Sequence, residues 1–495
     1  MPTKTQSEQT GRQDSIHLLI LLAVALCIGV YLISTTVLIS KDGVTFIEYT
    51  KHLAVSGVDT MLGEYQHPGY PALILAFHRI GARVFGETAL SGWIYSAQIA
   101  ALTFRLLALA AVYYIGKTLI GARQSFWAVL ILIVLPKPAG YGSDALSDWP
   151  HLFFLTTGLL VLLRGARDAK WWWFGLAGIL AGIGYLIRPE CAQLVVYGAL
   201  WLGLCFVWPK PIAAGRKKAA LALMVLVVGF AAVAGPYMKL KGGIFPKKHV
   251  GEFSSKIQSC DEVGVYTAAL AAPDSMRALA KFAENIGSTL MWFFIPALVI
   301  GLYERFRGQK WYEPEKVFIA GLIVLNMAVM VWLYDKHGYM SQRHTLPLLV
   351  CTIFYIPVGL QALSAWLAGR FSAVPGKSWF VILLLIGICV CVPHLLRPLN
   401  DDRKSYKAAA LWLAANTDKN EVIAVPDVRI SFYADRKGLK YDGDAVPEGV
   451  QYIVRIFKKR TKSDLSEKTP RQENLLFSTV TDSDNPVVAV YRRMK

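Results

Sequence analysis

Three stretches of this sequence hold side chains able to move a proton or hold an anion. The first follows a long uncharged run, Leu18 to Ser40, and reads Ser40-Lys-Asp-Gly-Val-Thr-Phe-Ile-Glu-Tyr-Thr-Lys-His-Leu53. Asp42 heads it and Glu48 lies further along. Phe46, Ile47, Thr50 and Leu53 recur at helical spacing, which predicts an amphipathic helix lying along an apolar boundary. A carboxylate there is partly desolvated, so its pKa rises and it is suited to take a proton. The bland alternative is that Asp42 caps the helix. The second stretch is Gln66-His-Pro-Gly-Tyr-Pro71. Pro68 and Pro71 fix a turn ahead of a short amphipathic helix, 72–85. That turn sets His67, with Tyr70 nearby, against a phosphate or hydroxyl, or is simply a loop corner.

The third is Gly140-Tyr-Gly-Ser-Asp-Ala-Leu-Ser-Asp148. Asp144 and Asp148 share a face if it is helical. Asp148 would then point into a bundle from the head of the next helix, where it would equally serve as an N-cap. Two arginines stand at breaks in the apolar pattern, in Arg188-Pro-Glu190 and Gln342-Arg-His344. A guanidinium gives a forked donor set suited to a phosphate, although an Arg at a membrane edge also snorkels. His67, Arg188, Arg343, Lys247 and Lys248 are the candidate phosphate ligands. Glu190 and His344 are candidate neighbours. Arg105 lies inside an apolar run, where it is costly and needs a partner. Gln98 lies two turns away on roughly the same face.

The elements that carry these groups are membrane spans. Of 495 residues, 55% are hydrophobic and 17% charged, against about 25% charged in a soluble domain. The mean hydropathy is +0.42. This excludes a disordered, fibrous or ordinary globular chain. Leu18–Ser40 reads as an uncleaved first span. Further apolar segments at about 89–116, 124–142, 149–163, 171–187, 191–208, 219–237, 285–303, 317–334, 345–369 and 378–396 bring the expectation to about eleven. The net charge of +18 has no nucleic-acid-binding motif around it. It fits lipid headgroups and orientation. The seven cysteines form no disulfide framework.

Lys117 and Arg123, Arg164 to Lys170, Lys210 to Lys218, Arg305 to Lys316, and Arg370 with Lys377 bound five short loops. All fall on the side of the N-terminus, which is therefore the cytoplasmic side. The large polar segments at about 41–88 and 238–284, and the tail from Arg397, go to the other face with nearly every histidine. The tail, 397–495, reads as a small α/β domain. Its expected parts are an amphipathic helix, 401–416, with Ala408, Leu411, Leu413 and Ala414 inward, strands at Val422–Val425, Tyr452–Ile456 and Val487–Tyr491, and a helix started by Pro426-Asp427. Lys458 to Asn474 is expected to be loop.

These motifs, in this order and on one side, resemble the GT-C membrane glycosyltransferases, the relatives of protein O-mannosyltransferases and of the aminoarabinose transferase of lipid A. The resemblance covers most of residues 16–396. It rests on the Asp after the first span, the His-Pro turn with Tyr-Pro and Leu-Ser-Asp opening span four. It rests also on Gly178-Ile-Leu-Ala-Gly-Ile-Gly-Tyr-Leu-Ile-Arg-Pro-Glu190 and Arg343-His-Thr-Leu-Pro347. The last is similar to the family's Arg-Tyr-x-x-x-Pro stretch, with His344 in the aromatic's place. The resemblance implies a GT-C arrangement of spans and a polyprenyl-phosphate-linked sugar donor used on the extracytoplasmic face of a bacterial inner membrane. It implies a glycolipid, polysaccharide or protein acceptor, membrane lipids as surroundings, Asp42 as the base and Asp148 as the second acid. The family's Lys-Pro-Pro turn reads His67-Pro-Gly here, so the Lys contact is missing. Asp42 is followed by Gly43 rather than by a second acid, which counts against a metal bridged by neighbouring carboxylates. No cofactor is assigned, and a divalent metal stays an open alternative. A lipid or sugar transporter would instead show internal repeats with broken helices in matching halves, and none is visible. A non-catalytic membrane protein would use the same acids as caps. Reporter fusions after Lys218 and Arg370 should be cytoplasmic, and fusions after Lys248 and at Lys495 extracytoplasmic. A cytoplasmic C-terminus would overturn the odd span count.

Overall fold

The computed structural model describes residues 4–85, 89–207, 215–243, 274–310, 312–338, 340–371, 374–442, 446–457, 473–479 and 486–493. The chain opens with helix α1 (Lys4–Ser34). The last six residues of the uncharged run, 35–40, are not helical. Helices α2 (Lys41–Ser56), α3 (Val58–Gly63) and α4 (Gly69–Phe85) fill the first large loop. Helix α2 buries Val44, Phe46, Ile47, Thr50 and Leu53, the face expected from their spacing. The bundle continues with α5 (Leu90–Ile120), α6 (Ala122–Val134), α7 (Pro136–Tyr141), α8 (Asp148–Asp168), α9 (Trp171–Ile187), α10 (Gln193–Val207) and α11 (Gly215–Lys241). Helices Asp274–Thr289, Ile295–Phe306, Pro314–His337, Leu346–Thr352, Tyr355–Arg370 and Gly376–Leu395 complete it.

Among the described residues seven helices are long and apolar enough to cross a membrane, and a pair bent by 65° at residues 353–354 makes eight. Helices α6 and α9 are shorter apolar ones. The eleven uniform spans expected from the sequence are therefore not all continuous helices. The segment 124–142 breaks at Pro136, whose ring cannot continue the helix before it. The segment 285–303 breaks where Met291 and Trp292 take positive φ, 55° and 59°. An apolar run reports hydropathy, which does not register either break.

The two ends of the bundle are chemically distinct. At one end α5 starts beside α2 in a cluster of Phe46, Ile47, Leu90 and Trp93. At the other its Tyr113 donates to Asp14 at 2.9 Å. Arg305 there pairs with Glu315 at 2.8 Å and donates to the Leu119 carbonyl at 2.6 Å. The start of α1 thus lies at the opposite end from α2.

The C-terminal part is a five-stranded mixed sheet of order β2-β1-β3-β5-β4. The strands are β1 (Val422–Val425), β2 (Lys437–Lys440), β3 (Tyr452–Phe457), β4 (Glu473–Ser478) and β5 (Val487–Arg493). β1 lies parallel to β2 and β3, and β5 is antiparallel to β3 and β4. Short, half-exposed β2 and β4 carried too little alternation to be expected. The segment 458–472 lies outside the described residues, and Glu473 and Asn474 begin β4 rather than a loop. Asp427 caps helix Val428–Ala434 by accepting from Arg429 N, as its sequence suggests. Helix Lys404–Asn416 turns differently from expectation. It buries Tyr406, Ala409, Ala410 and Leu413, while Leu411 is 57% exposed.

Helices Ile295–Phe306 and Tyr355–Arg370 cross in backbone contact. A Cβ on Gly301 would lie 1.8 Å from the Tyr355 carbonyl oxygen, and one on Gly359 1.8 Å from that of Ala297. Small residues at such crossings let membrane helices pack closely. Gly301→Ala or Gly359→Ala should therefore lower the melting temperature in detergent, with a loss of about 1–3 kcal/mol or more. Gly308→Ala, where a Cβ meets nothing within 4 Å, should leave it unchanged.

Candidate active site

Four segments far apart in sequence meet at the α2 end of the bundle. Asp42 lies in the first turn of α2, and its carboxylate accepts from Arg343 Nη2. Arg343 sits in a 3₁₀ turn, Gln342–Thr345. Its Nη1 stands 3.6 Å from Asp148 Oδ2. Asp148 opens α8, and Arg188 Nη1 donates to its Oδ1 at 2.5 Å. Arg188 is the extended residue, φ −151°, that ends α9. Its Nε lies 3.9 Å from Glu190 Oε1. The result is an alternating chain of charges, Asp42, Arg343, Asp148, Arg188 and Glu190. Exposure is least in its middle and rises towards both ends, to 38% at Glu190. The Asp42 side chain is 42% exposed, and that of Asp148 is 1%.

Neither acid is a helix cap. Ser40 caps α2 by accepting from Gly43 N at 3.2 Å. Ser147 holds the cap position of α8, without a side-chain capping bond. Asp144 and Asp148 do not share a helical face either, because the helix starts only at Asp148 and residues 142–147 form turns. Asp144 instead accepts from Ser40 N at 3.0 Å and from Ala145 N at 2.7 Å. Burial pushes its pKa up to about 6, against the pull of those two amides and of Arg343.

The neighbouring structure fixes the loop that delivers these acids. A Cβ on Gly43 would lie 2.8 Å from Ala145 Cβ and 2.9 Å from its carbonyl. Glycine after Asp42 thus lets α2 touch the Asp144 loop. From α5, Gln98 donates to the Ser143 carbonyl at 3.0 Å and Arg105 to the Ile133 carbonyl at 3.2 Å. Arg105 also lies over the Trp149 ring, 5.8 Å away. The partner of this buried Arg is therefore the end of α6, and Gln98 serves the loop rather than Arg105. The C-terminal domain reaches the same place, where Tyr433 OH accepts from Ile39 N at 3.0 Å.

The other expected residues divide. The His67 ring packs on Tyr185 and Tyr237, with centroids 5.0 and 5.2 Å away. Burial lowers its pKa to about 4, against the pull of Glu190. His344 lies within electrostatic reach of Arg188 and Glu190. Tyr70 is fully buried, donates to the Ala97 carbonyl at 3.0 Å and packs edge-on to Phe46, which makes it core. Glu48 pairs with Lys51 at 2.8 Å on the surface of α2 and takes no part. Lys247 and Lys248 lie outside the described residues. Sequence reasoning missed His151, buried next to Asp148. Its signal was the spacing of three from Asp148 on one helical face. Tyr49, Tyr237 and Tyr433 carried no signal.

The residues do not fit a carboxylate-held metal. Among the described residues no group of three or more His, Cys, Asp or Glu is placed to hold one. Asp42 and Asp148 both face Arg343.

The fold is that of the GT-C membrane glycosyltransferases, and the resemblance read from the sequence holds at that level. Residues 67–235 match a family model described as dolichyl-phosphate-mannose-protein mannosyltransferase. Among solved structures the chain is similar to ArnT from Cupriavidus metallidurans bound to undecaprenyl phosphate. The identity is 15%, the TM-score 0.56, and the match covers 95% of this chain and 97% of that one. It is also similar to the oligosaccharyltransferase AglB from Archaeoglobus fulgidus, solved with an inhibitory peptide and a dolichol-phosphate, at 12% identity and TM-score 0.57. That match covers 89% of this chain and 69% of the other. No curated protein matches the sequence.

Asp148 is the charge on which two buried arginines rely. Breaking a buried pair from one side costs about 3–5 kcal/mol, whereas a half-exposed pair contributes about 0–1 kcal/mol. Asp148→Asn should thus lower the melting temperature clearly, and Asp42→Asn should change it little, both read on purified protein in detergent.

Proposed function

We propose that the chain transfers a sugar from a polyprenyl-phosphate-linked donor to a hydroxyl of a glycolipid, polysaccharide or protein, on the extracytoplasmic face of the membrane. The observation that carries this reading is the alternating ion chain. It pairs a half-exposed carboxylate with one of two guanidinium groups that converge on a buried one. The GT-C fold and the mannosyltransferase family model support it. So does the placement of α1's start and of the C-terminal domain at opposite ends of the bundle, which needs an odd number of crossings.

The chemistry follows from charge. As the bond from the anomeric carbon to the phosphate oxygen breaks, negative charge gathers on the leaving phosphate. Arg188 and Arg343 supply cations there. The acceptor hydroxyl forms the new bond to the anomeric carbon and gives its proton to Asp42. The products are the glycosylated acceptor and the polyprenyl monophosphate. Asp148 is too enclosed to meet an acceptor, and its role is to hold both arginines. Polyprenyl chains do not leave the bilayer, so a site at one end of an apolar bundle suits such a donor.

If Asp42 takes the proton, Asn cannot replace it, and Asp42→Asn should lower the transfer rate by about 10²–10⁴-fold. The rate is measured with radiolabelled polyprenyl-phosphate sugars and membrane glycolipid or protein fractions, at matched expression. Near-normal turnover would remove Asp42 as the base. Arg343→Ala should weaken use of the lipid donor more than use of the acceptor, and unchanged donor kinetics would count against the phosphate contact.

A further inference from the structure

Beside Arg188, at the Glu190 end of the ion chain and beyond it, several buried polar atoms have nothing to bond. They include Tyr49 OH, Tyr237 OH, His67 Nδ1, Gln66 Oε1 and Glu190 Oε2. Each such atom costs about 1–3 kcal/mol, and native proteins hold few of them. Tyr49 and Tyr237 are themselves 1% and 7% exposed. The atoms belong to one place. His67 packs against both Tyr185 and Tyr237, which stand 6.5 Å from each other. Tyr49 of α2 adjoins Tyr237 and Glu64. Glu190 reaches both His67 and Arg188. The place is a cluster of aromatic rings edged with unpaired oxygen and nitrogen atoms, next to the proposed phosphate ligand.

The protonation of these atoms says what they can take. The Tyr185 carbonyl hydrogen-bonds the His67 ring, while Nδ1 is left over. The proton therefore sits on Nε2, and Nδ1 is an acceptor. Gln66 Oε1 and Glu190 Oε2 are acceptors as well. Acceptors repel phosphate oxygens and match hydroxyl hydrogens. The two tyrosine hydroxyls can donate or accept. The charges around His67 oppose one another, with Glu190 favouring a positive charge there and Lys241 and Arg188 acting against one. Aromatic walls with a few placed polar groups are the usual form of a small-molecule site. We propose that His67, Tyr49, Tyr237 and Glu190 form the subsite for the donor's sugar and accept a polyhydroxylated sugar through its hydroxyls. His67 then leaves the phosphate set, which keeps Arg188 and Arg343. The inference rests on the glycosyltransferase reading for the phosphate's place only.

The test is equilibrium binding to the full-length protein in lipid nanodiscs. The probes are undecaprenyl phosphate and its mannosyl, glucosyl and 4-aminoarabinosyl esters. Wild type should bind at least one sugar ester more tightly than undecaprenyl phosphate itself. His67→Phe keeps the ring contacts and loses the acceptor, and Tyr237→Phe loses one oxygen. Each should remove about 10-fold of that sugar-dependent gain, the loss of one hydrogen bond. Each should leave undecaprenyl phosphate affinity unchanged. His67→Gln, which keeps an acceptor, should restore part of the gain, and Arg343→Ala should weaken every probe. No gain from any sugar, or an equal loss of undecaprenyl phosphate binding in both Phe variants, would overturn the subsite. Failure of wild type to bind undecaprenyl phosphate at all would overturn the glycosyltransferase reading instead.

Discussion

The Asp148 carboxylate is the charge around which this end of the molecule is arranged. Removed from water, it needs compensation by full partners. The chain supplies Arg188 from the end of α9 and Arg343 from a turn 155 positions further on. Each arginine then has one side committed to Asp148 and another facing outward, to Glu190 or to Asp42. A single buried charge thereby sets the position of two cations and, through them, of two more carboxylates. The desolvation cost borne at Asp148 goes into orientation, which a site stabilising a developing phosphate charge requires.

Much of this site was legible in the sequence because its residues break a pattern. An Asp directly after an uncharged run, an Arg-Pro-Glu interrupting another and an Arg-His before a third are departures that hydropathy makes visible. Pairing was not legible. Asp42 and Arg343 lie 301 positions apart, and nothing local in either motif encodes the other. The capping alternative for both acids failed for a local reason. A serine precedes each, and in both cases it takes the cap position. Helix existence was read well, since apolar runs are long. Helix continuity was not, since one proline and two residues at positive φ break segments that hydropathy treats as whole.

The C-terminal domain shows the same division between local and tertiary information. Strand β1 was legible to the residue because Val422–Val425 is a dense apolar run that pairs on both sides. The inward face of Lys404–Asn416 was misjudged, because alanines fit either side of a helix and only the docked surface chooses. That surface includes Val37 and Leu38 from the non-helical segment after α1. The domain is therefore packed onto the chain just before Asp42 and is not a detached appendage.

This packing gives the segment before α2 an unusual set of anchors. Ile39 N donates to Tyr433 OH in the C-terminal domain, and Ser40 N donates to Asp144 in the loop before α8. Ser40 Oγ then caps α2, and Gly43 removes the side chain that would hold α2 off that loop. Consecutive backbone amides are thus fixed by two separate parts of the protein, within three residues of the exposed carboxylate. A half-exposed Asp on a free helix end would sample many positions. One whose preceding backbone is tied on both sides, and whose carboxylate is held by Arg343, is oriented before any acceptor arrives. Such pre-organisation is what general base catalysis at a fixed anomeric carbon asks of its carboxylate. It assigns the C-terminal domain a physical part in the geometry of the candidate site.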